Sequence, residues 1–390
     1  MCPVTEVREE AFAWPRQPAA SWDVLLELLV HGPMPRSELA ERLGLSRPTM
    51  TRLTRGLVDA GVLVEAETEL RTALGRPSEL LRVVPDAGRF VGVKLTGDHL
   101  YAVVTDLTAT VVDTTDEPLA ATDVASVLAQ VAAAVERLRR RHDRVMALGV
   151  TLAGSLRRGT GPAVVVESAF LRWSDVPLEQ LLVDATGLPT VVENDVQALT
   201  AAEHWFGAGA GLDSLAVVTV GAGIGCGLVV HGRLVRGAHG LPGQLGHVRV
   251  DPAGPPCDLG HHGCAAAYLM TDALLAALTD ATGTHPTFDE ALARARAGDP
   301  VAVETFDRAG YALGVVVGTV ANVVDPQKVI LTGEGLPTHE VAAARFRDGL
   351  AATYAADPDR LVVDVQPFDF GEWARSAAAL AIRSVVQGTA

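Results

Sequence analysis

Lysine is almost missing from this chain. Only Lys94 and Lys328 occur among 32 basic residues in a length of 390, and arginine takes the remaining places. With abundant alanine, glycine and valine, that bias reads as the mark of a GC-rich genome, not as a functional signal. Cysteine is scarce too. Four cysteines exclude a disulfide-stapled scaffold, and a reducing, cytoplasmic setting is expected. Although 48% of the residues are hydrophobic, no uncharged apolar run reaches the roughly 18 residues that a membrane span needs. The opening MCPVTEVREE is of mixed charge and has no apolar stretch of the signal-peptide kind. Neither a membrane protein nor a secreted one is therefore expected, and the length suits two or three soluble domains.

The net charge of −15 taken alone argues against nucleic acid. Its distribution says otherwise. Residues 1–85 hold 10 Arg against 12 Asp and Glu, a balance of −2, which leaves −13 for the rest. Between Ser46 and Gly56 there are three arginines and no acid. An acidic body thus carries a near-neutral head with one basic helix.

That head reads as a winged helix-turn-helix over residues 21–85, behind a loose arm at 1–20. Ser21 can cap a first helix whose apolar side is Leu25, Leu26, Leu28 and Leu29. A second helix opens at Ser37 and ends at Gly44. Ser46 caps a third, Arg47–Ala60, closed by Gly61. Two helices across a short glycine turn are the helix-turn-helix layout, whose second member enters the major groove. Arg47, Thr49, Thr51, Arg52 and Arg55 should face outward, with Arg36 and Ser46 beside them on the DNA side. Arginine can fork onto guanine, and threonine offers a methyl or hydroxyl. Val62–Ala66 and Leu80–Val84 then flank a polar stretch and form the wing. Arg76, within Gly75-Arg76-Pro77, is of the type that lies in a narrow minor groove. The bland reading is a helical subdomain with arginines on a solvated face.

Residues 86–390 alternate strands and helices. Phe90–Leu95, Leu100–Asp106 and Thr110–Glu117 read as consecutive strands, Ala125–Arg141 as a helix and Val145–Thr151 as a buried strand. A similar order restarts at Ser214, with helices over Ala265–Thr282, Phe288–Ala297 and Ala302–Val324. Two related α/β lobes are expected. The run Gly221-Ala222-Gly223-Ile224-Gly225-Cys226-Gly227 has two readings of equal weight: backbone amides approaching a phosphate, or close hairpin packing.

Three further motifs follow in order: Val192-Glu193-Asn194-Asp195; Arg236 to His247, RGAHGLPGQLGH; and Cys257 to Cys264, CDLGHHGC. With Gly333-Glu334-Gly335 after a strand and the winged helix in front, the chain resembles the ROK family of repressors, open reading frames and kinases over about residues 20–385. The resemblance implies a two-lobed, actin-like (ribonuclease-H-like) sugar-kinase fold. It also implies a sugar-responsive regulator that works as a homodimer or homotetramer.

The departures from the family pattern carry weight. Kinases of the family open the first lobe with an Asp-x-Gly-x-Thr loop, and here the matching stretch is Lys94-Leu95-Thr96-Gly97-Asp98. Lysine at the metal-facing position repels Mg²⁺, so no kinase activity is expected. Asp195 matches the family's base. It stands either as a ligand contact or as a helix cap. Gln244 replaces a sugar-binding Glu, Ala266 another, and Phe170 an Asn. The pocket of Phe170, Asn194, Asp195, Gln244 and His247 therefore takes a sugar or less polar effector, or has lost its ligand. The family's zinc site matches at His247, Cys257 and Cys264, but Leu259 stands where a third cysteine belongs. His261, His262 or water could complete the four ligands of a structural zinc, and the alternative is a relic loop of free thiols. The expected function is a DNA-binding regulator, most simply a repressor, acting on a double-stranded operator. A sugar kinase with a fused DNA-binding head and a ligand-independent DNA-binding protein are the alternatives.

Overall fold

The computed structural model describes residues 14–15, 17–66, 79–159, 161–238, 240 and 242–388. Arg76 and most of the wing stretch lie outside the described residues, as do residues 1–13 of the arm.

The head is built from α1 (Ala19–His31), β1 (Met34–Pro35), α2 (Arg36–Arg42), α3 (Arg47–Asp59), β2 (Leu63–Ala66) and β3 (Leu80–Val83). Ser21 does not cap α1. The helix starts two residues earlier, and Ser21 is fully buried within it. Ser46 does cap α3, accepting the Thr49 N–H at 3.4 Å. Both α2 and α3 stop on a glycine of positive φ, Gly44 at 63° and Gly61 at 70°. At each stop two amides fold back onto the last turn. Leu45 N–H meets the Ala40 carbonyl at 2.9 Å, and Val62 N–H meets that of Leu57 at 2.9 Å. These stops set the turn between the helices and the entry to the wing. Leu39, Met50, Leu53 and Leu57 are buried between the helices. The wing sheet runs β1-β3-β2, antiparallel. The two-residue β1 was not expected, being too short to show a period.

The chain divides into two compact units. One holds Met1–Gly154, Arg158–Glu193 and Ala374–Ala390; the other holds Ser155–Arg157 and Asn194–Trp373. In the first, β4 (Arg89–Leu95), β5 (His99–Thr105) and β6 (Val111–Pro118) form an antiparallel meander. After α4 (Val124–Arg139), β7 (Val145–Leu152) joins β4 in parallel. Asp123 caps α4, and Val127, Val131, Ala134, Val135 and Leu138 form its buried stripe. Each Val or Leu so buried contributes roughly 1.5–3 kcal/mol. Along the chain follow β8 (Ser155–Arg157), which belongs to the second unit, then β9 (Val164–Ser168), β10 (Trp173–Val176), α5 (Leu178–Thr186) and β11 (Thr190–Asn194) of the first, and α6 (Asp195–Phe206), again of the second. β9 and β10 pair as a hairpin, Trp173 opposite Ser168; the sequence reading missed it. The sheet order is β11-β7-β4-β5-β6.

The second unit repeats that order. β12 (Leu215–Val220), β13 (Ile224–Val230) and β14 (Arg233–Leu234) are antiparallel neighbours, and β15 (Lys328–Thr332) and β16 (Val363–Val365) extend the sheet in parallel: β14-β13-β12-β15-β16. Its helices after α6 are α7 (Ala266–Leu269), α8 (Thr271–Thr282), α9 (Phe288–Arg296), α10 (Pro300–Val324), α11 (Pro337–Val341) and α12 (Ala343–Thr353), and the last helix, α13 (Phe370–Gln387), belongs to the first unit from Ala374 onward. The single helix expected over 265–282 is broken at Met270, which is extended, and the Thr271 N–H goes to the Gly221 carbonyl at 3.0 Å. In the first unit α13 lies directly on the sheet. A Cβ at Gly92 or Gly149 would strike the Ala374 and Ala377 carbonyls. Only glycine permits that approach.

Candidate functional site

On the head, Ser46, Arg47, Thr51, Arg52 and Arg55 are exposed along α3, and Thr49 is half-buried. Among the described residues none of these three arginines forms an ion pair. Arg36 behaves differently from the sequence expectation. Its Nε donates to Thr54 Oγ1 at 2.9 Å, and its guanidinium pairs with Glu65 and, at 3.9 Å, with Glu79. It braces α3 against the wing and does not face outward with the others.

A short strap ties α3 to the first sheet. The Trp14 ring lies 5.6 Å from Trp22 of α1 and 6.3 Å from Phe90 of β4. Gln17 Nε2 donates to the Gly56 carbonyl of α3 at 3.0 Å.

In the second unit, Asn194 and not Asp195 caps α6, accepting the Gln197 N–H at 3.1 Å. Asp195 occupies the first helical position, buried, with Oδ1 accepting the Val196 N–H at 2.9 Å. Its neighbour Glu193 is also buried and pairs with Arg158 at 3.4 Å. Within the glycine run, close packing of the hairpin is seen at Gly225 and Gly227. Gly225 and Gly227 lie against Val196 and Thr200 of α6, where a Cβ would clash. Gly221 and Gly223 shape the β12–β13 turn, with the Gly221 N–H bonded to the Gly223 carbonyl at 3.0 Å.

Four candidate metal ligands converge beyond that hairpin. His247 ends a 3₁₀ turn, Leu245–His247, that follows the exposed Gln244. The chain then loops out and returns by the Arg249–Cys264 and Pro256–His262 bridges. Inside the loop Cys257 N–H meets the His261 carbonyl at 2.7 Å, closing a tight turn. One ligand atom each from His247, Cys257, His261 and Cys264 falls within 4.8 Å of the others. Cys257 Sγ is 3.7 Å from His247 Nδ1. A tetrahedral zinc with bonds of about 2.0–2.3 Å spaces its N and S ligands about 3.3–3.8 Å apart; the His247–Cys257 pair stands at that spacing, and two imidazoles with two thiols are donors of the type zinc takes. His262 points elsewhere, its Nδ1 3.1 Å from the Gly254 carbonyl. Leu259 is 62% exposed and supplies nothing. Burial and the neighbouring Cys257 thiol hold the Cys264 pKa up. Cys226 is pushed up to about 12 by burial alone, which suits a packing thiol.

Residues 90–383 match the model of the ROK family. The chain belongs to the ROK family. Residues 18–64 match that of the MarR family, so a MarR-type winged helix precedes the ROK body. The DNA-binding transcriptional repressor Mlc of Escherichia coli (strain K12) is 25% identical over 329 residues, 81% of this chain and 80% of that protein. The crystal structure of a ROK family transcriptional regulator, a homolog of E. coli MLC protein, aligns over 95% of this chain and 98% of that one. Its TM-score is 0.80 at 24% identity, a likeness of fold. A ROK family glucokinase from Streptomyces griseus, in complex with glucose and AMPPNP, aligns over 76% of this chain and 100% of that one, with TM-score 0.64 and 28% identity. Repressors and kinases thus both stand among the relatives of this ROK body.

In this ROK body Lys94 is buried in β4, opposite Tyr101 of β5 and Thr151 of β7. The turn after it is tied to itself. Thr96 Oγ1 donates to Asp98 Oδ1 at 2.8 Å and accepts the His99 N–H at 2.9 Å. The Thr96 hydroxyl lowers the Asp98 pKa, with a further contribution from His99. Phe170, half exposed, has its backbone against Gly97. Among the described residues no helix is long and apolar enough to cross a membrane.

Proposed function

We propose that this protein is a DNA-binding transcriptional repressor whose ROK body responds to a small-molecule effector. The observation that carries the reading is the row Arg47, Arg52 and Arg55. All three are exposed on a capped helix of a winged-helix head, and none is spent on a partner within the described chain. The proposed DNA face is Ser46, Arg47, Thr49, Thr51, Arg52 and Arg55, with α3 in the major groove of a double-stranded operator. Arg36 holds the wing in place. Arg76 remains a proposed minor-groove contact.

Asn194, Asp195, Gln244 and His247 are proposed as polar contacts of a sugar or less polar effector. The effector shifts the balance between two states of the protein, and it does so only by binding them with different affinity. The strap of Trp14 and Gln17, which touches both β4 and α3, is the proposed route from body to head. His247, Cys257, His261 and Cys264 are proposed to hold a structural zinc, which would brace the loop carrying Gln244 and His247. The protein acts as a homodimer or homotetramer in the cytoplasm and has no kinase activity. Lys94 supports the last point, because a cation there opposes the Mg²⁺ that phosphoryl transfer requires.

The test is operator selection from random duplexes with the full chain, followed by binding with and without sugars. Specific binding that a sugar changes is the expected result. A chain that ignores duplex DNA and phosphorylates hexoses with ATP would overturn the reading in favour of a kinase.

A further inference from the structure

β12 and β15 are parallel neighbours, and their carboxyl ends come level at Thr219 and Thr332. Loops leaving adjacent parallel strands at that end are where α/β sheets take ligands. One of these loops is the glycine turn 221–223. The other is Gly333-Glu334-Gly335, pinned to the end of β12 by the Gly335 N–H on the Val220 carbonyl at 2.8 Å. Gly333, at φ 117°, and Gly335 both press against Val220. That contact fixes where the residue between them can reach.

Glu334 reaches across to the glycine turn. Its Oε1 accepts the Ala222 N–H at 2.7 Å. Its side chain also covers the bare face of Gly221: a Cβ there would stand 2.6 Å from Glu334 Cγ and closer still to the carboxylate. A backbone amide in a glycine turn beside an open Cα face is what a phosphate oxygen uses. Here a carboxylate of the chain's own has taken both.

We propose that Glu334 is a resident anion that closes this glycine turn to phosphate, so that the second unit refuses nucleotides and inorganic polyphosphates. The proposal rests on the non-enzymatic reading above and deepens it, since Lys94 and Glu334 then remove metal and phosphate separately. An entering phosphate has to displace the carboxylate from the Ala222 N–H and also sit beside its charge. Removing the side chain abolishes both obstacles, and Glu334→Gln abolishes only the charge.

The experiment is calorimetric titration of the full chain, wild type, Glu334→Gln and Glu334→Ala, with tripolyphosphate and with ADP. Operator binding and thermal melting are read on the same samples. Expected affinities rise in that order, with Glu334→Ala tighter than wild type by about tenfold or more. Phosphate transfer to hexoses stays absent in every variant. If Ala proves unstable in the turn, Glu334→Gly takes its place. Tripolyphosphate binding to wild type as tight as to the truncated variant overturns the proposal. So does a truncated variant that melts normally and binds no anion. Failure of the repressor reading shows separately, as absent operator binding in wild type.

Discussion

Cys257 Sγ lies 3.7 Å from His247 Nδ1, ten residues away along a loop with little regular structure of its own. Cys264 and His261 stand within 4.8 Å of the same pair. Purified protein should carry about one zinc per chain, read by elemental analysis. A Cys257→Ser variant should lose it. With free zinc about 100-fold above its Kd, the bound ion adds about 3 kcal/mol of stability. Chelation should therefore lower the melting temperature of the wild type and leave the variant unmoved. A metal-free chain that melts like the purified one would refute the structural role.

Arg52→Ala and Arg55→Ala should weaken operator binding while leaving melting unchanged, because neither side chain has an ion-pair partner among the described residues. A base-reading arginine costs about 1–3 kcal/mol and relaxes specificity at one position. A phosphate-contacting one lowers the salt slope by about 1. Titrations at two salt concentrations separate these roles. Unchanged affinity in both variants would remove α3 from the interface.

Trp14→Ala should act at a distance. Its ring fills the space between Trp22 and Phe90, and its indole N–H is buried without an acceptor among the described residues. Packing is therefore its main contribution, and truncation should cost roughly 1–3 kcal/mol, below the range for a fully buried tryptophan. The variant should still bind effector, but operator affinity should respond to it less. An undiminished response, measured by operator titration with and without effector, removes the strap from the route.

Asp299 caps α10 and accepts the Val301 and Ala302 amides at 3.0 and 3.1 Å. The Ala302 amide, followed by Arg294, holds its pKa below the ordinary carboxylate value of 3.8. The folded pKa is depressed, so its stabilising effect is complete above the unfolded value and is lost as pH falls through the folded one. Melting temperature should drop below about pH 4. In Asp299→Asn that drop should be shallower, since the amide still caps but no longer titrates. Parallel melting curves between pH 3 and 6 would count against this assignment.

Ser46, Gly44 and Gly61 announce α2 and α3 from within a few residues, because caps and left-handed stops are satisfied by neighbouring amides. The α4 stripe and the meander of β4, β5 and β6 are legible for the same reason: their periods repeat along the chain. Other features carry no such local mark. β1 is two residues long. β9 and β10 are short, separated only by the turn around Phe170. Arg36 looks like another outward arginine until Thr54 and Glu65 are found beside it.

The amino-acid order alone determined the winged head, the recurrent α/β pattern of the body and the presence of lysine at position 94, since these depend on composition and short-range periodicity. Tertiary structure decided which histidine joins the thiols and that Asn194, not Asp195, ends its strand as a cap. It also placed Glu334 on the amide of Ala222, 112 residues earlier. Contacts of that range are set by how parallel strands align their ends, and no local run of residues encodes that alignment.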